Sequence, residues 1–306
     1  MTSSHGADAG QRRSCSAVAR TLGEPLAGTA TAVRVWVAVE HPGPYPRKAV
    51  PDALAPALAE WVGRAGKHIR LQLIRRPRLR GGETSDATTD ATSQVFVAHA
   101  AAAPVWLAAG RIDDVAEISG WDPVGLLDGG VPEGMRPEHA PVYLVCANGR
   151  RDACCAAYGR DAAADLLRRH PGRVWETSHL GGHRFAPVIA RLPDGFMFGG
   201  PLATTESTAS SRGRSALSPR AQVAELAVLR ASDDRVPRAL RVSDEGDRLL
   251  VTDGPAQWSV EVAQRLLGER RPESCNAEEG PVTTITAVAV HRVVGQDVVT
   301  PTTEPA

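Results

Sequence analysis

The run Val142-Tyr143-Leu144-Val145 ends in a cysteine, Cys146, and a second cysteine, Cys155, closes a C-x8-C pair. An H-x3-H pair follows in Ser178-His179-Leu180-Gly181-Gly182-His183-Arg184-Phe185. The apolar run reads as a buried strand. A strand that ends on Cys146 and runs through a loop into a helix puts thiols where backbone N–H groups and the helix dipole stabilise anionic sulfur. The two glycines between His179 and His183 let a second loop wrap tightly around a ligand. Two thiolates and two imidazoles, delivered by two loops to one end of a sheet, can hold Zn²⁺ or an iron–sulfur cluster. The usual zinc-finger spacing is C-x2-4-C, so eight intervening residues fit it poorly.

The 306 residues are enough for two domains or one large one. A hydrophobic content of 42% with 23% charged residues is that of a soluble globular protein. Formal net charge is zero and aromatics are few, which argues against nucleic acid and anionic membranes as partners. No segment has the ~18 apolar residues of a membrane span, and the polar, basic N-terminus has no signal-peptide core. The five cysteines, Cys15, Cys146, Cys154, Cys155 and Cys275, are an odd set without a signal, as expected of reduced thiols in the cytoplasm.

Residues 1–14 read as a disordered tail, 15–135 as an N-terminal α/β domain, and 136–306 as a second domain with a C-terminal extension. Strands are expected at 33–39, 69–74, 95–98 and 105–108, a helix at 52–65, and a turn at Gly110-Arg111. Residues 81–94 read as a low-complexity loop and Gly129 to Pro137 as a linker. In the second domain strands are expected at 142–145, 174–177, 187–192 and 196–198. The helices are expected at 161–169, after the Cys loop, and from Pro219 to Arg230, with Ser218 as N-cap. Residues 204–218 read as a loop. C-terminal strands are expected at 240–251, 258–263 and beyond Pro281. The β-α-β-β-β-α order of residues 140–231 suits a thioredoxin-like sandwich. The sequence shows no internal repeat of fixed period.

The segment Val145-Cys146-Ala147-Asn148-Gly149-Arg150-Arg151-Asp152-Ala153-Cys154-Cys155-Ala156 resembles the signature of the sucrase/ferredoxin-like family, as does Val174 to Ala186 around the histidines. Glu40-His41-Pro42-Gly43-Pro44, Leu73-Ile74-Arg75-Arg76-Pro77 and Arg212-Gly213-Arg214-Ser215 are similar too, so the likeness runs from about Cys15 to Cys275. It implies a thioredoxin-like ferredoxin domain with one [2Fe–2S] cluster, Cys146 and Cys155 on one iron and His179 and His183 on the other. It also favours Cys155 over its neighbour Cys154.

A soluble, cytoplasmic, two-domain α/β protein that transfers single electrons is therefore expected, with redox donor and acceptor proteins that the sequence does not identify. Neutral histidine ligands should raise the cluster potential, and their free ring nitrogens should couple reduction to protonation. Two alternatives stand beside it: a thiol redox enzyme using Cys154 or Cys155, and a zinc-stabilised binding module. Sucrase activity has no support, because a glycosidase needs two positioned carboxylates and nothing marks Asp152 and Glu176 as a pair. Asp152 reads as a cap or brace of the Cys loop. Cys15 and Cys275 read as buried or incidental, and Arg75-Arg76 and Arg150-Arg151 as solvated loop charges.

Overall fold

The computed structural model describes residues 14–47, 56–77, 92–275 and 277–293. Most of the expected 1–14 tail, the 81–94 loop and the start of the 52–65 helix lie outside these residues. Alternating apolar residues build the first strand, β1 (Val35–Glu40), and helix α2 (Pro56–Ala65) leads from it to β2 (Ile69–Arg75). The strands β3 (Ser93–His99) and β4 (Trp106–Ile112) follow, then α3 (Pro123–Leu127) and the two-residue β5 (Arg136–Pro137). A short helix, α1 (Cys15–Thr21), precedes them all and is capped by Ser14. Gly110 and Arg111 lie inside β4 and not in a turn; the chain reverses before Trp106 instead, at Ala100 to Val105.

The second half runs β6 (Val142–Cys146), α4 (Ala153–Arg169), β7 (Val174–Thr177), β8 (Val188–Leu192), β9 (Phe196–Gly199), β10 (Ser211–Arg214) and α5 (Pro219–Ala231). Three assignments differ from expectation, one being the strand expected over 240–251, which is two antiparallel strands, Arg241–Asp244 and Leu249–Asp253. Ser211–Arg214, expected as loop, pairs with β9, and α4 begins at Ala153 rather than Asp161. Cys, Tyr and Gly weaken helix propensity over residues 154–159. Asp152 overrides this by accepting the Cys154 N–H (2.9 Å) as N-cap.

All ten strands form one sheet, in the order β10-β9-β8-β6-β7-β2-β1-β3-β4-β5. Strand β2 joins β7 antiparallel, with Ile74 opposite Thr177, so the sheet runs unbroken through both halves. On each side of that join the pattern is the same. A β-α-β unit makes two parallel strands, and three further antiparallel strands extend the sheet from the first of them. The strand order therefore repeats about a pseudo-twofold axis between β2 and β7, a repeat of topology with no counterpart in the sequence period.

Strand alternation splits the apolar residues between two faces. Val35, Val37 and Val39 pack under α2, while Tyr143, Val145, Phe196 and Phe198 pack with α4 and α5. On the other face Trp36, Phe96, Leu144, Cys146, Trp175 and Met197 form one core shared by both halves. The sheet curls around it far enough for Trp36 Nε1 to donate to Ser215 Oγ (3.1 Å). A second, antiparallel sheet of β11 (Arg241–Asp244), β12 (Leu249–Asp253), β13 (Ala256–Pro272) and β14 (Glu279–Val293) covers α5. Among the described residues no helix is long and apolar enough to cross a membrane.

Candidate metal centre

Strands β6 and β7 are parallel neighbours, so their C-terminal ends open at the same place. Cys146 is the last residue of β6, and His179 lies two residues past the end of β7. Cys155 sits in the first turn of α4, close to its positive end. Three donors meet here: Cys146 Sγ and Cys155 Sγ lie 3.8 Å and 4.0 Å from His179 Nδ1. His183, on a short 3-10 turn, places Nδ1 3.4 Å from His179 Nε2. Cys146, Cys155 and His179 are thus brought together, and His183 reaches this group through the His179 ring.

The two thiols shift each other in opposite directions. Cys146 is held well below the ordinary thiol range by the Cys155 thiol, against the cost of burial, with further help from His179 and the Leu180 N–H. Cys155 is raised by the same interaction and then by burial. Burial also lowers the His183 pKa, outweighing the attraction of Asp152, so the imidazole is neutral at neutral pH and free to ligate. Its Nε2 is buried with no hydrogen-bond partner among the described residues; Asp152 Oδ2, at 3.8 Å, is too far. A buried ring nitrogen without a partner, on a ring that touches the His179 imidazole, fits a metal or cluster bound at this end of the sheet.

Three consecutive carbonyls of the histidine loop are held from outside. Arg70 Nη2 donates to His179 O (2.6 Å), Thr31 Oγ1 to Leu180 O (2.8 Å) and Arg212 Nη1 to Gly181 O (3.0 Å). Gly181 and Gly182 take φ of 93° and 72°, the left-handed region that favours glycine. The Glu40 to Pro46 segment braces the same end of the sheet. Tyr45 donates to Glu176 O (2.8 Å), and the Asn148 amide donates to Pro46 O (2.9 Å).

The carboxylates near the motifs have other partners. Asp152 caps α4, as the sequence suggests, and Glu176 forms a forked ion pair with Arg75 (2.8 and 2.9 Å). Arg184, next to His183 in sequence, pairs with Glu24 and Glu273. Spacing alone did not reveal a second group. Cys15, Cys154, Cys275 and Asp152 place one donor atom each within 4.8 Å of one another. These residues come from the N-terminus, the centre and the C-terminal hairpin, so no local pattern could signal them.

A family model of sucrase/ferredoxin-like proteins matches residues 26–208, which includes all four donors. Comparison with curated proteins and with solved structures gave no match. The family match spans more than half of the 306 residues, and the chain belongs to the sucrase/ferredoxin-like family.

Proposed function

We propose that this is an electron-transfer protein in which Cys146, Cys155, His179 and His183 hold one [2Fe–2S] cluster. The observation that carries the reading is the convergence of two buried thiols and two imidazoles, one with an unpartnered buried nitrogen. The arrangement of β6, α4, β7, β8 and β9, with central parallel strands and an antiparallel flank, supports a thioredoxin-like ferredoxin domain. When bound, the cluster supplies reversible one-electron chemistry at a potential raised by its neutral ligands.

The protein's own groups set the conditions. Arg70 and Arg212 place positive charge near Cys146, and the Leu180 N–H stabilises its sulfur. An imidazole that ligates through Nε2 leaves Nδ1 as the nitrogen that can carry a proton, and on His183 that atom faces His179 Nε2 at 3.4 Å. The donor and acceptor are separate redox proteins, and five free cysteines suit a reducing cytoplasm.

One observation favours a second reading, a single Zn²⁺ in this site: Cys146, Cys155 and His179 are all mutually close enough for one ion. A thiol enzyme is less well supported, since Cys154 and Cys155 are only 2% and 1% exposed. Serine variants test the ligand assignment. Cys155→Ser is expected to lose the visible absorption of the cluster, because it removes one of two sulfurs facing His179. Cys154→Ser is expected to keep it, because its sulfur faces Cys15 and Cys275 instead. The reverse outcome would move the ligand to Cys154.

A further inference from the structure

We propose that Cys15, Cys154, Cys275 and Asp152 form a second metal site, for one Zn²⁺, distinct from the four cluster donors. The sulfurs make a near-regular triangle: Cys15 to Cys154 is 3.6 Å, Cys154 to Cys275 is 3.3 Å, and Cys15 to Cys275 is 3.6 Å. Asp152 Oδ1 stands off this triangle, 3.2 Å from Cys275 Sγ and 3.8 Å from Cys15 Sγ. A tetrahedron with Zn–S of about 2.3 Å has edges of about 3.8 Å. The observed edges lie within a few tenths of an ångström of that, and they leave room for one ion but not for several irons.

The surroundings suit bound thiolates. Ser16 Oγ donates to Cys154 Sγ (3.2 Å), and Cys154 lies in the first turn of the 17-residue helix α4. The carboxylate is already oriented, accepting the N–H of Cys154 (2.9 Å) on Oδ1 and of Cys275 (3.0 Å) on Oδ2. Ligands with their own hydrogen-bonded supports are the usual mark of a built metal site. Cys15 and Cys154 are buried, whereas Cys275 lines an open pocket with Ala17, Thr21 and Pro272, which gives an ion a way in. Binding would release the thiol protons and tie α1, the start of α4 and the turn between β13 and β14 to one point.

The test uses the full chain carrying Cys146→Ser, so that zinc at the cluster donors is not mistaken for zinc here. Metal analysis after dialysis against zinc is expected to find one Zn²⁺ per chain. Adding Cys15→Ser or Cys275→Ser should abolish it, while either substitution alone in the otherwise unaltered chain should keep the cluster absorption. Metal-free Cys146→Ser protein titrated with Co²⁺ should show thiolate-to-cobalt charge transfer and strong tetrahedral bands, without relying on the double variants to fold. Failure to bind either ion, zinc content unchanged by both serine substitutions, or a Cys154–Cys275 disulfide in anaerobically isolated protein would overturn the proposal. None of these results bears on the cluster, whose loss would be read separately from iron content.

Discussion

Gly159→Ala should strip the metal centre, although alanine is normally the better helix residue by about 0.5–1 kcal/mol. Gly159 lies one turn beyond Cys155 on the buried side of α4. A Cβ there would stand 2.0 Å from the carbonyl oxygen of Cys146, 3.0 Å from its carbonyl carbon and 3.4 Å from Ala147 Cα. All three are backbone atoms of the other cysteine segment, so no side chain can swing aside. Helix α4 must lift off the end of β6, and Cys155 must leave Cys146. Overpacking of this kind costs about 1–3 kcal/mol or more, well above the propensity gain. Thermal melting and iron content together check it: a lower Tm and most of the bound iron lost. Gly63→Ala in α2 is the control, because nothing lies within 4 Å of its added Cβ. That variant should be neutral or slightly stabilised, with iron unchanged.

Arg212→Leu should be the most damaging single change outside the four donors. The side chain is 2% exposed. It fixes the histidine loop through Gly181 O and the N-terminal segment through Thr29, donating Nε to Thr29 Oγ1 (3.0 Å) and Nη2 to Thr29 O. It also lies over the Phe185 ring, 5.3 Å from the centroid. Burial, with the neighbouring Arg184 charge, pushes its pKa down to about 9, so it remains a cation at neutral pH. Leucine would strand two half-buried carbonyls, at up to about 1–3 kcal/mol each. Lysine would restore the charge but not the planar fork, and only part of the stability should return. Denaturant unfolding measures the loss, and histidine-loop proteolysis should quicken in step. A variant as stable as the parent would mean that the loop holds itself.

The grouping of Cys146, Cys155 and His179 was legible in the sequence because its signals are local: a strand that ends on a cysteine, and two histidines around a glycine pair. Residues 153–160, read as loop, are helical because one capping side chain, Asp152, outweighs a weak local propensity. The motif Arg212 to Ser215 stood out in the sequence without a role. Its residues act at long range, Arg212 on Gly181, Arg214 on Glu225 and Ser215 on Trp36. The ten-stranded sheet runs through the division expected near residue 135. Sequence periodicity gave no sign that β2 and β7 pair across it, because pairing partners such as Ile74 and Thr177 lie about a hundred residues apart. The group of Cys15, Cys154 and Cys275 was hidden for the same reason.

The central claim is that two cysteines and two histidines hold a binuclear cluster, and iron and acid-labile sulfide content test it most directly. The full chain, purified without oxygen and reconstituted with iron and sulfide, should be brown and carry two irons and two sulfides. His179→Ala should lower both together, since its imidazole faces both sulfurs. Zinc at these donors without sulfide, or a colourless protein that takes up no iron, would contradict the account.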